Sequence, residues 1–385
     1  MRKPIYLDHS ATTPLREEVF QQMVQAGQLF GNPSSIHIFG REAKRIAEAA
    51  REKLARAVNA PESSIIFTSG GTEADNLAII GAALGNADRG KHIIISCIEH
   101  HAVAESARYL ETLGFRISRL PVDQHGIISL DDLQKALAPD TIIVSIMHAS
   151  NEIGSVQPIA EIGKITKKRN IIFHTDAVQT LGKLPLDIQE NNIDLLAASA
   201  HKLYGPKGIG CLCVRNGVRL QPLFWGGGQE RGLRPGTENV AGIVGFGTAV
   251  ELAVKDMTTV RLRLELLRDY FLSGLQRRIE GVVVNGHPYT RLPGHVHLSF
   301  AGLTGAELVK ALDGVGIAVS AGAACTAGQI DYSPTLREIG LIPELARGSI
   351  RISMGRETGR EAIDCLLDKL PTLVQSLRQK NAAGQ

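Results

Sequence analysis

Ile171-Ile172-Phe173-His174-Thr175-Asp176 is an apolar, β-branched run that closes on a carboxylate; Ile193-Asp194-Leu195-Leu196-Ala197-Ala198 is a second, followed by Ser199-Ala200-His201-Lys202-Leu203-Tyr204-Gly205-Pro206-Lys207-Gly208. Runs this apolar suit strands covered on both faces. Asp176 and Lys202 then stand at carboxyl ends of strands, where open α/β sheets bind ligands. A lysine that can form a Schiff base and an aspartate that can protonate a pyridine nitrogen are the two protein groups a pyridoxal phosphate (PLP) enzyme most needs. Asp176 equally fits the cap of a following helix, and Lys202 and Lys207 equally fit the surface of a glycine-containing loop.

Working outward, the same kind of run recurs at 65–68, 92–96, 141–147 and 209–214, alternating with helix-length segments. One of these, 40–58, places Ala43, Ile46, Ala47, Ala50, Leu54, Ala57 and Val58 on a single helical stripe. The alternation predicts a mostly parallel α/β sheet. A long amphipathic helix is expected from about 258 to 279, and after it come shorter strands at 282–285, 296–300, 317–320 and 348–354, which read as a small α+β domain. At 385 residues the chain suits two domains.

Composition excludes several classes. With 44% hydrophobic and 21% charged residues this is ordinary globular material, and a net charge of +3 gives no reason to expect nucleic acid. Met1-Arg2-Lys3 is followed by Pro4 rather than an apolar run, and no segment reaches the length of a membrane helix, so a cytoplasmic location is expected. Five cysteines without regular spacing argue against a disulfide scaffold and leave thiols free for chemistry.

Further residues gather around the lysine and aspartate. Thr68-Ser69-Gly70-Gly71-Thr72-Glu73-Ala74-Asp75-Asn76 joins a strand to a helix, and its small residues let backbone N–H groups reach a phosphate; Thr72 with Asp75 also reads as a capping box. His100, in Glu99-His100-His101, can stack on a cofactor ring, serve as a surface histidine, or pair with His101 on a metal, although no acidic cluster at ligand spacing supports the last. Asn151 and Gln179 follow strands as possible amide donors, and Asn151 equally fits a turn. Arg351, a cation in a β-like run, suits a substrate carboxylate or an ordinary wet strand face. Cys325 lies among Ala321-Gly322-Ala323-Ala324 and Thr326-Ala327-Gly328, too little bulk to pack, which leaves its thiol available as a nucleophile. Cys97, Cys211, Cys213 and Cys365 read as buried hydrophobes.

Taken together, the chain resembles the cysteine desulfurases, PLP enzymes that take sulfur from L-cysteine for iron-sulfur cluster assembly and related pathways. The likeness rests on Asp8-His9-Ser10-Ala11-Thr12-Thr13-Pro14, Gly31-Asn32-Pro33-Ser34-Ser35-Ile36-His37, the 68–76 turn, Asn151-Glu152-Ile153-Gly154, His174 to Gln179, the 199–210 turn, Arg234-Pro235-Gly236-Thr237-Glu238-Asn239 and the 349–355 strand. It implies a PLP-dependent transferase of fold type I: a large PLP-binding domain at 15–257 with a seven-stranded sheet, and a small domain from 1–14 and 258–385. By this resemblance Lys202 binds the cofactor covalently, Asp176 pairs with the pyridine nitrogen, His100 stacks on the ring and Gln179 meets the ring oxygen. Gly71, Thr72, Ser199 and His201 hold the phosphate, and Thr237 reaches the phosphate of a partner subunit, which implies a homodimer. Asn151 and Arg351 bind substrate, Asn151 beside the cofactor, and Cys325 accepts the sulfur. Where the family's longer-loop type carries Ser-Gly-Ser-Ala-Cys, this chain reads Ala321-Gly322-Ala323-Ala324-Cys325, so two hydroxyls are missing.

The resemblance thus implies conversion of L-cysteine to L-alanine with a persulfide left on Cys325 and then passed to an acceptor protein such as an iron-sulfur scaffold. A PLP-dependent cyst(e)ine or selenocysteine lyase would need no persulfide and would yield pyruvate from cysteine. A non-catalytic scaffold on the same fold would be colourless.

Overall fold

The computed structural model describes residues 4–321 and 332–383. Its largest sheet has seven strands in the order Ile65–Thr68, Gly210–Val214, Leu195–Ser199, Ile172–Asp176, Thr141–Ser145, His92–Ser96, Arg116–Leu120. All neighbours pair in parallel except Gly210–Val214, which runs antiparallel to both of its own. The central strands are buried throughout, as their unbroken apolar runs require. One face packs Ile94, Val144, Phe173 and Leu196 under Phe246 and Leu54, and the other packs Ile93, Ile95 and Leu212 under Leu77 and Val103.

The strand Arg116–Leu120 is not among the runs read from the sequence. It lies at the sheet edge with Arg116 and Arg119 in solvent, so it lacks the apolar signature of its neighbours. The long helix begins at Val240 and ends at Gln276, earlier than the expected 258. Gly242, Gly245 and Gly247 hide its start, yet a Cβ on Gly247 would stand 2.7 Å from Ala50 Cα. Gly247 lets the helix press against Ile38–Ala57, and that close packing offsets its poor helix propensity.

Beyond the helix, Ser320–Ala321, Ser349–Ser353, His295–Phe300 and Val282–Asn285 form a four-stranded antiparallel sheet over Phe271, Leu298, Phe300, Ile350 and Leu366. The expected strand 317–320 divides here: Ile317–Ala318 pairs instead with Ile5–Tyr6, and only Ser320–Ala321 joins the larger group. From Ile5–Tyr6 the chain bridges Ser353 through Asp8 and runs on until Thr13 N donates to the His201 carbonyl at 2.9 Å. One short segment therefore touches both sheets, and it passes beside Lys202.

Candidate active site

Three parallel strands, Thr141–Ser145, Ile172–Asp176 and Leu195–Ser199, end side by side, with Asp176 level with Ala197. The loops that leave them wall a cleft of about 260 Å³ lined by Gly71, Thr72, His100, Asn151, Asp176, Gln179, Ser199, His201 and Lys202. Five separate stretches of sequence thus converge on one space.

Lys202 ends the tight turn Ala200–Lys202 directly after its strand. Tyr204, two residues on, has φ +65, a left-handed conformation unusual for a tyrosine; Thr13 holds it by accepting its N–H at 2.7 Å. The Lys202 amine donates to the carbonyls of Ser10 at 2.6 Å and Ala11 at 2.7 Å. Burial and then the Arg351 charge pull its pKa down to about 8, against Asp176 and Asp8. A usable share of the amine is therefore neutral and nucleophilic near neutral pH. Lys207 is exposed in solvent.

Asp176 is buried, and its Oδ1 accepts the Val178 N–H at 2.8 Å. Burial pushes its pKa up, while His100, that N–H and Lys202 pull the other way. Beneath it lie two more acids. Burial, followed by the Asp176 charge, drives Asp75 well above the ordinary carboxylate range, and burial raises Glu99 to about 8. His174 is held neutral, at about 3, by its burial. His100 opens onto the cleft, with Nδ1 accepting the Ala102 N–H at 3.1 Å, and the protein around it lowers its pKa. The ligating atoms of Asp75, His100 and Asp176 lie within 4.8 Å of one another. The fold thus brings to His100 two carboxylates that lie far from it in sequence. This grouping suits the edge of a pyridine ring, with the Asp176 carboxylate for its N–H, while burial and then the Asp176 charge favour the neutral form of Asp75.

The remaining wall fits a phosphate. The helix that starts at Gly71 turns its first residues to the cleft, and a Cβ on Gly71 would come within 2.7 Å of Val178 Cγ2. Only glycine leaves that approach open. Its N-cap position is Gly70 rather than Thr72, and Glu73 reaches back to the Ser69 N–H at 2.7 Å, so Thr72 keeps its hydroxyl at the cleft. His201 is neutral, its pKa lowered to about 4 by burial and then Lys202. Its Nδ1 meets Thr12 Oγ1 at 3.1 Å, leaving Nε2 for a ligand. Gln179 is buried, with Nε2 donating to the Ser10 carbonyl at 2.9 Å. Amine, acid, amide and anion cradle are all present, and together they fit PLP.

Arg351 enters from Ser349–Ser353 and meets the loop of Asn151: Nη1 donates to the Asn151 carbonyl at 2.9 Å and Nη2 to Asp8 Oδ1 at 2.8 Å. Among the described residues its Nε is buried without a partner, an N–H still to be satisfied. Thr237 is exposed and does not line this cleft, and Cys325 lies outside the described residues. Among the other cysteines Cys211 and Cys213 are buried, as expected, whereas Cys97 and Cys365 are only half-buried. Asp8, Ser10, Glu152 and Lys183 also contribute contacts that no local pattern announces. The polar run Asp8-His9-Ser10 directly after a strand-like Ile5-Tyr6-Leu7 was the available signal for the first two.

The profile of the family described as Aminotransferase class-V matches residues 5–366. A protein curated as Cysteine desulfurase IscS from Dictyoglomus turgidum is 50% identical over 379 residues, 98% of this chain and 96% of its own. Its namesake from Clostridium botulinum is 47% identical over 382 residues, again 98% and 96%. Among solved structures, a NifS-like protein superposes with a TM-score of 0.91 at 38% identity over 97% of this chain and 100% of that one. SspA in complex with cysteine does so at 0.80 and 34%, over 91% and 98%. On this likeness and on the cleft described above, the chain belongs to the PLP-dependent class-V aminotransferase family and, within it, to the cysteine desulfurases.

Proposed function

We propose that Lys202 binds PLP covalently in the cleft and that Cys325 carries away, as a persulfide, the sulfur that L-cysteine loses in becoming L-alanine. The observation that carries the reading is the pairing, in one cleft, of a lysine amine lowered to about 8 with the buried carboxylate of Asp176. Bound there, PLP supplies an electron sink for charge developing at the substrate Cα. Asp176, ionised, keeps a proton on the ring nitrogen. Gly71, Thr72, Ser199 and His201, which line the cleft, would hold the phosphate, and Gln179 and His100 would hold the ring. Lys202, whose lowered pKa leaves part of its amine neutral, would serve as the base that moves the substrate Cα proton. Arg351 offers its unpartnered Nε to the substrate carboxylate beside Asn151. The Cys325 thiolate attacks the substrate sulfur: an S–S bond forms as the Cβ–S bond breaks, and the electron pair left on carbon is protonated on the way to alanine.

The reading extends to a homodimer in which Thr237 completes the neighbour's phosphate site. Support comes from apolar side chains that a single chain leaves in water: Phe30 is 81% exposed, Ile36 91% and Trp225 79%. The sulfur acceptor is an iron-sulfur scaffold or a protein of similar role, and a cytoplasmic location suits a chain whose described cysteines are all free.

Cys325→Ser tests the reading. The variant should keep the cofactor's colour and bind cysteine yet release almost no alanine, and mass spectrometry should find added sulfur on wild-type Cys325 alone. Alanine formed at the wild-type rate by the variant would refute the persulfide. Pyruvate in place of alanine would identify a lyase, and a colourless protein a scaffold.

A further inference from the structure

Arg351 already holds a carboxylate of its own chain. Asp8 Oδ1 sits 2.8 Å from Nη2, with the arginine side chain 11% exposed and the aspartate side chain 19%. Asp8 is fixed there by its backbone. It bridges Ser353 on the strand that carries Arg351, with Ser353 N donating to the Leu7 carbonyl at 2.7 Å and His9 N to the Ser353 carbonyl at 3.2 Å. The Tyr6 hydroxyl, donating to the Asp8 carbonyl at 2.9 Å, pins it further. A carboxylate tethered in this way faces the guanidinium at an effective concentration that no dissolved amino acid approaches.

The geometry of the fork makes this a conflict. A carboxylate that pairs side-on with arginine uses Nε together with Nη2. Nε is the buried, unpartnered nitrogen, and Nη2 is the one Asp8 has taken. An incoming carboxylate must displace Asp8 or share one nitrogen with it across a like charge, and either course weakens capture. Asp8 is not needed to aim the arginine, because the Asn151 carbonyl holds Nη1 independently at 2.9 Å.

We propose that Asp8 is a built-in competitor for the α-carboxylate of the substrate, holding down the affinity of Arg351 for amino acids so that product alanine leaves readily. This inference rests on the reading of Arg351 as the carboxylate-binding residue. It makes Asp8 a residue that sets KM and the rate of product release, distinct from the groups that perform the chemistry.

Calorimetric titration of the PLP-loaded enzyme with L-alanine, which has no sulfur to lose, tests it. Asp8→Asn should bind L-alanine roughly three- to tenfold more tightly than wild type, the scale on which removing one charged competitor acts. KM for cysteine should fall in step, with kcat unchanged or lowered by slower product release. Damage to the fold does not tighten binding, so a gain of affinity separates this role from a structural one. Asp8→Ser, a second neutral variant, should show the same gain. Unchanged or weaker alanine binding in whichever of the two retains bound PLP overturns the proposal. Arg351→Ala isolates the premise: if it leaves alanine affinity intact, Arg351 is not the carboxylate site and both readings fall together. If it abolishes binding while Asp8→Asn brings no gain, only the competitor role is refuted.

Discussion

The Glu152 carboxylate accepts the Thr335 hydroxyl at 2.8 Å and the Ser333 hydroxyl with its other oxygen. The loop that carries Asn151 thereby holds the start of Pro334–Glu338, the first helix described after residue 331, whose N-cap is Ser333. Burial raises the Glu152 pKa, while the two hydroxyls favour its charged form. Ile153 adds an apolar contact beside them by packing with Leu336, Ile339 and Ala346.

Glu152→Ala should therefore lower stability by about 1–3 kcal/mol, because two buried hydroxyls lose their acceptor; Glu152→Gln, which keeps an acceptor, should recover part of that loss. Urea denaturation measures both. Persulfide formation on Cys325 should slow more than PLP binding weakens, since the clamp holds the helix that follows Cys325 by only a few residues in sequence. Equal losses of persulfide and of bound PLP would show that Glu152 supports the whole cleft instead.

Lys183 provides a pH signature. It lines a second, largely apolar space between the long helix and the 353–356 turn, and its amine donates to Gln179 Oε1 at a long 3.4 Å. Burial, followed by the Lys202 and Arg351 charges, lowers its pKa to about 7. A lysine whose folded pKa is depressed penalises the fold wherever the amine must be charged, which is fully so below pH 7, and the penalty vanishes as pH rises toward the ordinary value near 10.5. Lys183→Met should thus stabilise the cofactor-free protein by on the order of 2 kcal/mol at pH 6, with the gain shrinking through pH 7 to 10. A gain that stays constant across this range would show that it comes from packing.

Which features could be read from the chain follows from how local their causes are. Asp176 and Lys202 each end an apolar run, and the physics that buries the run also delivers the residue to the strand end. The strand at 116–120 escapes because an edge strand with two arginines in water has no continuous apolar signal. Asp8 on Arg351 and Glu152 on Thr335 are separated by 343 and 183 residues, beyond the reach of any periodicity. The same holds for Asp75 beneath Asp176, which a helix and a strand bring together only in the folded sheet. Thr237 has its role from family resemblance alone, whereas the small residues around Cys325 already marked its thiol as available and the resemblance added the sulfur it accepts.

Glu230 should be a strong point of the loop that carries Thr237. Its carboxylate takes both Arg51 Nη2 at 2.7 Å and Nη1 at 2.9 Å and also accepts the Phe67 N–H at 2.8 Å, with both ion-pair partners buried. It holds two successive left-handed residues, Glu230 at φ +45 and Arg231 at φ +58, a strain that persists only where the surroundings impose it. This loop is thereby tethered to the core a few residues before Thr237. Glu230→Ala leaves Arg51 charged and buried, so a loss of about 3–5 kcal/mol is expected in denaturant unfolding. If Thr237 completes the partner's phosphate site, the variant should also lose PLP faster while remaining dimeric.

Lys202 gives the last test, because its amine must be neutral to attack the PLP aldehyde. With a pKa near 8 in the cofactor-free protein, the neutral fraction grows about tenfold per unit below that value and hardly at all above it. The rate at which cofactor-free enzyme takes up PLP should rise steeply from pH 6 to 8 and level off beyond, whereas an ordinary surface lysine would still be gaining at pH 10. Borohydride should fix the cofactor to the peptide containing Lys202, and Lys202→Ala should neither retain fixable PLP nor turn over cysteine. Lys207 stands on the same turn but in open solvent, with none of the burial that lowers the Lys202 pKa. Fixation at Lys207, or an uptake rate still climbing above pH 9, would overturn the assignment of Lys202 as the covalent site.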